Sequence, residues 1–284
     1  MIFLTLIAFL SLSLPPEPSE WRPLLEKDRL DAWDVWLGRP HASDDLPGLP
    51  RDADGGYLDP IGAGDDRFEV FTLIDTPEGP TLRVSGRIFG FIATKESFSN
   101  YHLRLQVKWG EQKWAPRSEA KRDSGLLYHV VNNYAEPRRS FPRSIELQIQ
   151  EQDTGDLYAV NMNVKVRARQ DEKGQLFHDP AEPIREIGVG TQPRRNRCTK
   201  QGDYERPHGE WNDIELICVG GESIHIVNGH VVMRAHEPMN PVGDALEPFH
   251  HGRIALQSEG AEVFFRGLEI REIAELPPEL VEKR

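Results

Sequence analysis

From about residue 68 onward the chain is written largely in period two. Ten runs alternate apolar and polar residues: Thr81–Ile92, Tyr101–Trp109, Leu126–Val131, Ile145–Gln150, Leu157–Arg167, Asn212–Val219, Ser223–Val227, His230–Arg234, Arg253–Ser258 and Glu262–Ile273. Successive side chains of an extended strand point to opposite faces, so each run has one face for a core and one for solvent. Turn residues separate the runs, and helical periodicity is nearly absent. The expected fold is therefore all-β, an antiparallel β-sandwich or jelly roll rather than an α/β protein. Asn228-Gly229, between ESIHIV and HVVMRA, predicts a type I′ hairpin because both central residues tolerate positive φ.

The flanks are different. Trp21–Trp36 is an aromatic-bearing opening segment, and Gly38–Asp66, rich in Gly, Pro and Asp, is expected to be a long surface loop. Ala168–Gly209 is polar with little alternation and is expected to be a long connection, functional or disordered. No repeat occurs at solenoid or propeller periods, so 284 residues suit one large core. The apolar run Met1–Leu14, closed by Pro15, Pro16 and Pro18, is too short to span a bilayer comfortably. It is expected to be a signal peptide over residues 1–18, with a short uncleaved anchor as the alternative. The domain then spans 19–275 and a tail 276–284, in a secreted or periplasmic protein without other membrane association.

A formal charge of −12, with no basic face, argues against nucleic acid as a partner and leaves a neutral polar ligand such as a carbohydrate open. Cys198 and Cys218 are expected either to form one disulfide or to be two buried thiols.

Alternation in Ile145–Glu151 puts Glu146, Gln148 and Gln150 on one face, either a solvated surface or a polar groove able to meet a sugar. In Tyr101–Trp109 it exposes Arg104 and Lys108, candidates to stabilise an oxyanion, as is Lys95 before the same strand. His129 is a candidate acid/base group or a core histidine. Trp211 and Asn212 offer an apolar platform and an amide for a pyranose ring, or simply core. His225, His230, His236, His250 and His251 match no zinc spacing, and Asp52, Asp54, Asp59, Asp65 and Asp66 lack the pattern of an EF-hand, so no metal site is expected. No Gly-rich dinucleotide motif stands between a strand and a helix, so no nicotinamide cofactor is expected.

The order WRPLLEKDRLDAW, ESFSNYHLRLQVKW, DSGLLYHV, PRSIELQIQE, GEWNDIELICVGGESIHIVNGHVV and GRIALQSEGAEVFFRGLEIREI resembles the 3-keto-disaccharide hydrolase-like family across nearly the whole chain after its first residues. The resemblance implies a concanavalin-like jelly roll, with glycans on its concave sheet, and action on glycosides whose C3 hydroxyl is already oxidised. A C3 ketone acidifies the C2 proton, so a base can remove it, the C1 oxygen can leave, and water can add back. On this reading Glu146 is the expected base, with Gln148, Glu151 and His129 as catalytic partners and Lys95, Arg104, Lys108, Trp211 and Asn212 binding substrate. ELQIQE also resembles the E-x-D-x-x-E signature of retaining β-glucanases, but Gln148 replaces its central Asp. The rival from another class is a non-catalytic glycan-binding module, which needs aromatic and amide groups but no carboxylate of raised pKa beside a cationic or imidazole partner.

Overall fold

The computed structural model describes residues 19–27, 29–131 and 141–282. The expected signal segment lies outside them, and no described helix is long and apolar enough to cross a membrane.

Two antiparallel sheets form the described chain. The larger is centred on Tyr101–Lys113, flanked by Asn212–Val219 and Ala261–Glu272, and continues to Glu222–Val227, His230–Val242 and Asn163–Gln170 on one side and to Gly79–Val84 and Phe71–Thr76 on the other. The smaller runs in the order Arg197–Cys198, Leu157–Val160, Ser144–Gln150, Asp123–Val130, Arg253–Ser258, Gly90–Thr94, Trp33–Leu37, Gly62–Ala63. Between them Leu103, Leu105, Val107, Leu216 and Phe265 meet Leu126, Ile145, Leu147, Ile149 and Leu256 in one apolar cluster. Each such side chain contributes about 1.5–3 kcal/mol on full burial. Sliding any strand by one residue would turn its apolar set outward, so this burial fixes the register that places the site. Three buried polar side chains pair within the core: Tyr128 Oη lies 2.8 Å from Ser223 Oγ and 3.0 Å from His225 Nε2, while His225 Nδ1 is 3.1 Å from the Gly155 carbonyl.

The Asn228-Gly229 turn has φ of 49° and 80°, as the hairpin requires. Two alternating runs prove to be two strands each, one in either sheet. Thr81–Ile92 changes sheet between Gly79–Val84 and Gly90–Thr94, where Gly86 (φ +78°) lies so close to Ala261 that a Cβ would stand 2.2 Å from its carbonyl oxygen. Leu157–Arg167 breaks after Leu157–Val160, with Asn161 at positive φ. The connection expected over Ala168–Gly209 is more ordered than its polarity suggests. It carries Leu176–His178, Ile184–Gly188 and Arg197–Cys198, strands too short to leave a run of alternation to read. Cys198 and Cys218 are buried free thiols, one in each sheet. Beyond the last strand, Leu276 and Leu280 pack on Ile217, Ile224, Ile226 and Ile273, and Arg234 Nη2 donates to the Leu280 carbonyl at 2.5 Å. The segment expected to be a tail thus covers an apolar patch of the larger sheet.

Candidate active site

The outer face of the smaller sheet is built by register. One row across the strands carries Tyr158, Glu146, Leu127, Ala255, Ala93 and Asp34. The next carries Gln148, Gly125, Gln257, Phe91 and Trp36, and a third carries Gln150 and Asp123, with Glu259 just past the end of its strand. One half of this face is apolar: Trp36 and Phe91 stack with centroids 5.8 Å apart beside Ala93, Leu127, Val130 and Ala255.

The other half gathers acids. Glu146 is 5% exposed, although its strand position faces away from the main core. It finds room because residue 125 is glycine: a Cβ there would stand 2.2 Å from Glu146 Oε1 and 2.5 Å from Gln257 Oε1. Asp123 Oδ2 accepts from Gln150 Nε2 at 2.5 Å and pairs with Arg117 Nη2 at 2.5 Å, while its Oδ1 has no hydrogen-bond partner. The same guanidinium lies 3.8 Å from Glu259 Oε1.

Three carboxyl groups gathered largely out of water cannot all keep their ordinary charge. Burial pushes the Glu146 carboxyl well above the usual range, and the nearby Glu259 and Asp123 charges add to that, against a hydrogen bond with Gln257. Burial raises Glu259 to about 8, with Asp123 reinforcing and Arg117 opposing the shift. Burial also raises Asp123, but Arg117 and the hydrogen bonds from Gln150 and the Ser124 N–H hold it to about 6. At neutral pH one carboxylate therefore stands beside carboxyl groups that keep their protons, a division of labour suited to acid–base chemistry.

Of the residues expected from sequence, Glu146 and Gln148 lie in this patch; Gln148 Oε1 accepts from the Ile149 N–H at 3.1 Å. Glu151 does not join them. Five residues of alternation set it off from Glu146, and Arg122 holds it through its N–H (3.0 Å) and guanidinium (2.8 Å), so the paired glutamates of a retaining glucanase are not formed. Burial pushes Glu151 up, but the Arg122 contacts outweigh it and keep its pKa low. His129 sits at positive φ (50°) in a bulge where register shifts against Arg253–Ala255, its ring edge-on to Tyr128 at 5.1 Å. Burial, with His250 and His251 nearby, lowers it to about 3, so it is neutral and apart from the acids. Lys95 lies 3.9 Å from Asp34, three strand spacings from the Glu146 strand, or about 14 Å.

The other expected binding residues stand on the opposite sheet. Arg104 pairs with Glu269 at 2.7 Å and lies 4.1 Å over Trp21. Lys108 and Arg266 lie 4.9 and 4.0 Å from the Trp211 ring. Asn212 Oδ1 accepts from the Arg206 N–H (2.7 Å) and Asn228 Nδ2 (2.8 Å), closing a loop. Packed sheets stand about 10 Å apart, so these four cannot share a sugar with Glu146. The outward direction of Arg104 and Lys108 was legible from alternation, but the sheet they decorate was not, and Asn212 proves to be buried.

Asp123, Gln257, Glu259 and Arg117 were missed. The signal was present in DSGLLYHV and GRIALQSEG, where Asp123 and Gly125, and likewise Gln257 and Glu259, share a face by alternation. Among the described residues no group of three or more His, Cys, Asp or Glu is placed to hold a metal ion. Three acids of the early loop have local partners: Asp52 caps the Asp54 and Gly56 N–H groups, Asp65 pairs with Arg67, and Asp66 accepts from Val70 and Phe71.

The chain belongs to the 3-keto-alpha-glucoside-1,2-lyase-like domain family, whose model matches residues 20–271. Comparison with curated proteins gave no match. Among solved structures, a protein from Parabacteroides distasonis ATCC 8503 described as a candidate glycosyl hydrolase is 18% identical, with TM-score 0.46, 90% of this chain and 100% of that chain covered. A protein with a galectin-like fold from Bacillus subtilis is 10% identical, with TM-score 0.47 and 92% and 99% covered. LamA from Z. galactanivorans, in complex with laminaritriose and laminaritetraose, is 10% identical, with TM-score 0.46 and 91% and 100% covered.

Proposed function

We propose that the protein is a carbohydrate-active enzyme that cleaves 3-keto-glucosides by elimination across C1 and C2, followed by hydration. The observation that carries this reading is the split protonation of one largely buried cluster: Asp123 near 6, Glu259 near 8, and Glu146 held well above the usual carboxyl range by burial. Elimination needs a base, a donor for the enolate oxygen and an acid for the leaving group, and the cluster offers all three. The ionised Asp123, with its unpartnered Oδ1, takes the C2 proton. The electron pair moves into the C2–C3 bond and onto the C3 oxygen, to which Glu146 donates a hydrogen bond. As the enolate collapses, the C1–O bond breaks and Glu259 protonates the departing oxygen. Water then adds to the C1–C2 double bond, its hydroxyl to C1 and a proton to C2, which restores the acid–base pair.

Glu146, expected from sequence to be the base, thereby becomes the neutral donor, because burial beside two other acids favours its protonated form. A glycan-binding module has no use for three carboxyl groups gathered largely out of water, where each one that ionises costs several kcal/mol of desolvation. Export through the apolar segment at residues 1–18 belongs to the same proposal. The test is cleavage of a 3-keto-α-glucoside and its unoxidised parent by the native protein and by Asp123→Asn. Cleavage of the keto sugar alone, lost in the variant, supports the reading; equal cleavage of both sugars overturns it.

A further inference from the structure

A cleft of about 370 Å³ opens beside the acids, between the segment around Arg39–Ala42 and the turn at Ala115-Pro116. It is joined to the cluster through one short piece of chain. Ala115 and Pro116 line the cleft, and the next residue, Arg117, grips Asp123 and Glu259. The turn is held there by the Trp114 N–H, which donates to the Gly260 carbonyl at 2.8 Å, immediately after Glu259. Phe89 also lines the cleft, two residues along from Phe91 on the outer face of the smaller sheet, and stacks on Phe141.

The polar groups around the cleft are almost all engaged within the protein. His41 Nδ1 is 2.9 Å from Ser43 Oγ, Asp52 Oδ1 caps two backbone N–H groups, Arg87 pairs with Asp44 at 3.4 Å, and the Tyr57 hydroxyl donates to the Asp44 carbonyl at 2.7 Å. Arg39 is the exception: it is exposed and has no hydrogen-bond or ion-pair partner among the described residues. A second sugar ring would bring several hydroxyls that need partners, and unmet ones are costly. Apolar walls from Pro40, Phe89 and Pro116 with one spare cation suit something flat and poor in hydrogen-bonding groups.

We propose that this cleft is the leaving-group subsite and that it takes a flat aryl aglycone, with Arg39 favouring one that carries an anionic substituent. The inference rests on the elimination reading for its catalytic meaning, but its binding arm does not. The experiment is calorimetric titration of the full chain with unoxidised phenyl, 4-carboxyphenyl and methyl α-glucosides. The native protein is expected to bind the phenyl compound about tenfold more tightly than the methyl one, and the carboxyphenyl compound more tightly again. Phe89→Ala removes the aryl preference, and Arg39→Ala removes only the carboxylate preference. Should Phe89→Ala fail to fold, Ala42→Trp, which fills the cleft from an exposed position, is expected to abolish aryl preference without weakening methyl glucoside. Equal affinity for phenyl and methyl glucosides in the native protein overturns the proposal. Aryl preference with no cleavage of any 3-keto-glucoside keeps the subsite and removes the reaction; cleavage without aryl preference does the reverse.

Discussion

Glu146 reaches the centre of the site across Gly125, where a side chain as small as a methyl group would stand 2.2 Å from its Oε1. The atoms that would be struck are the ends of two flexible side chains, Glu146 and Gln257, rather than backbone. Gly125→Ala is therefore expected to fold, with a melting temperature within a few degrees of native, because Ala gains about as much from lower unfolded-state entropy as the local shift costs. Activity is expected to fall by about a hundredfold, since moving a catalytic group by 1 Å carries a penalty of that order. Thermal melts and kcat/KM on the same preparation check both halves.

Asp123→Asn keeps the shape and removes the base. A loss of about 10²–10⁴ in kcat is expected, the span of general acid–base contributions. KM is expected to change little, because the carbonyl oxygen of the new amide could still accept from Gln150. Steady-state kinetics with circular dichroism to confirm folding decide it.

The pH dependence follows from the two values near neutrality. Activity needs Asp123 ionised and Glu259 protonated, so kcat/KM is expected to rise through about 6 and fall through about 8. Glu259→Gln is expected to slow release of an alkyl alcohol by about a hundredfold, and that of an acidic phenol much less, since a phenolate leaves unaided.

Stability carries the same signature with the sign of a raised carboxyl. The folded state holds the Glu259 proton up to about 8, whereas the unfolded chain releases it near its ordinary value, so stability falls as pH rises between the two. His129 and His225, both lowered to about 3 by burial, oppose this below the ordinary histidine range, where the unfolded chain binds protons that the fold refuses. The net loss should thus be clearest from about pH 6.5 to 8, on the order of 2 kcal/mol from Glu259 alone. Melting in Glu259→Gln is expected to be flatter over that window.

Alternation disclosed that Glu146 and Gln148 share a face with Gln150, and that Arg104 and Lys108 point away from Leu103, Leu105 and Val107, because side-chain direction is a local property of a strand. It could not disclose which strands are neighbours. Gln257 and Glu259 come to Glu146 from more than a hundred residues further along the chain, Asp123 comes from the strand just before, and only pairing across Asp123–Val130 joins them. The sheet change inside Thr81–Ile92 was hidden for a related reason: both halves alternate, and nothing in period two marks the crossing at Ser85–Phe89. Arg104→Ala and Lys108→Ala, on the far sheet, are accordingly expected to leave kcat/KM within about twofold of native, well inside the range of ordinary surface substitutions.

The most direct test of elimination is to run the reaction on a 3-keto-α-glucoside in deuterium oxide and follow C2 of the released sugar by NMR at early times. One deuterium at C2 in each product molecule, formed faster than the free keto sugar exchanges and absent with Asp123→Asn, is the expected result. Cleavage with the C2 hydrogen retained would mean direct displacement at C1 and would contradict the account.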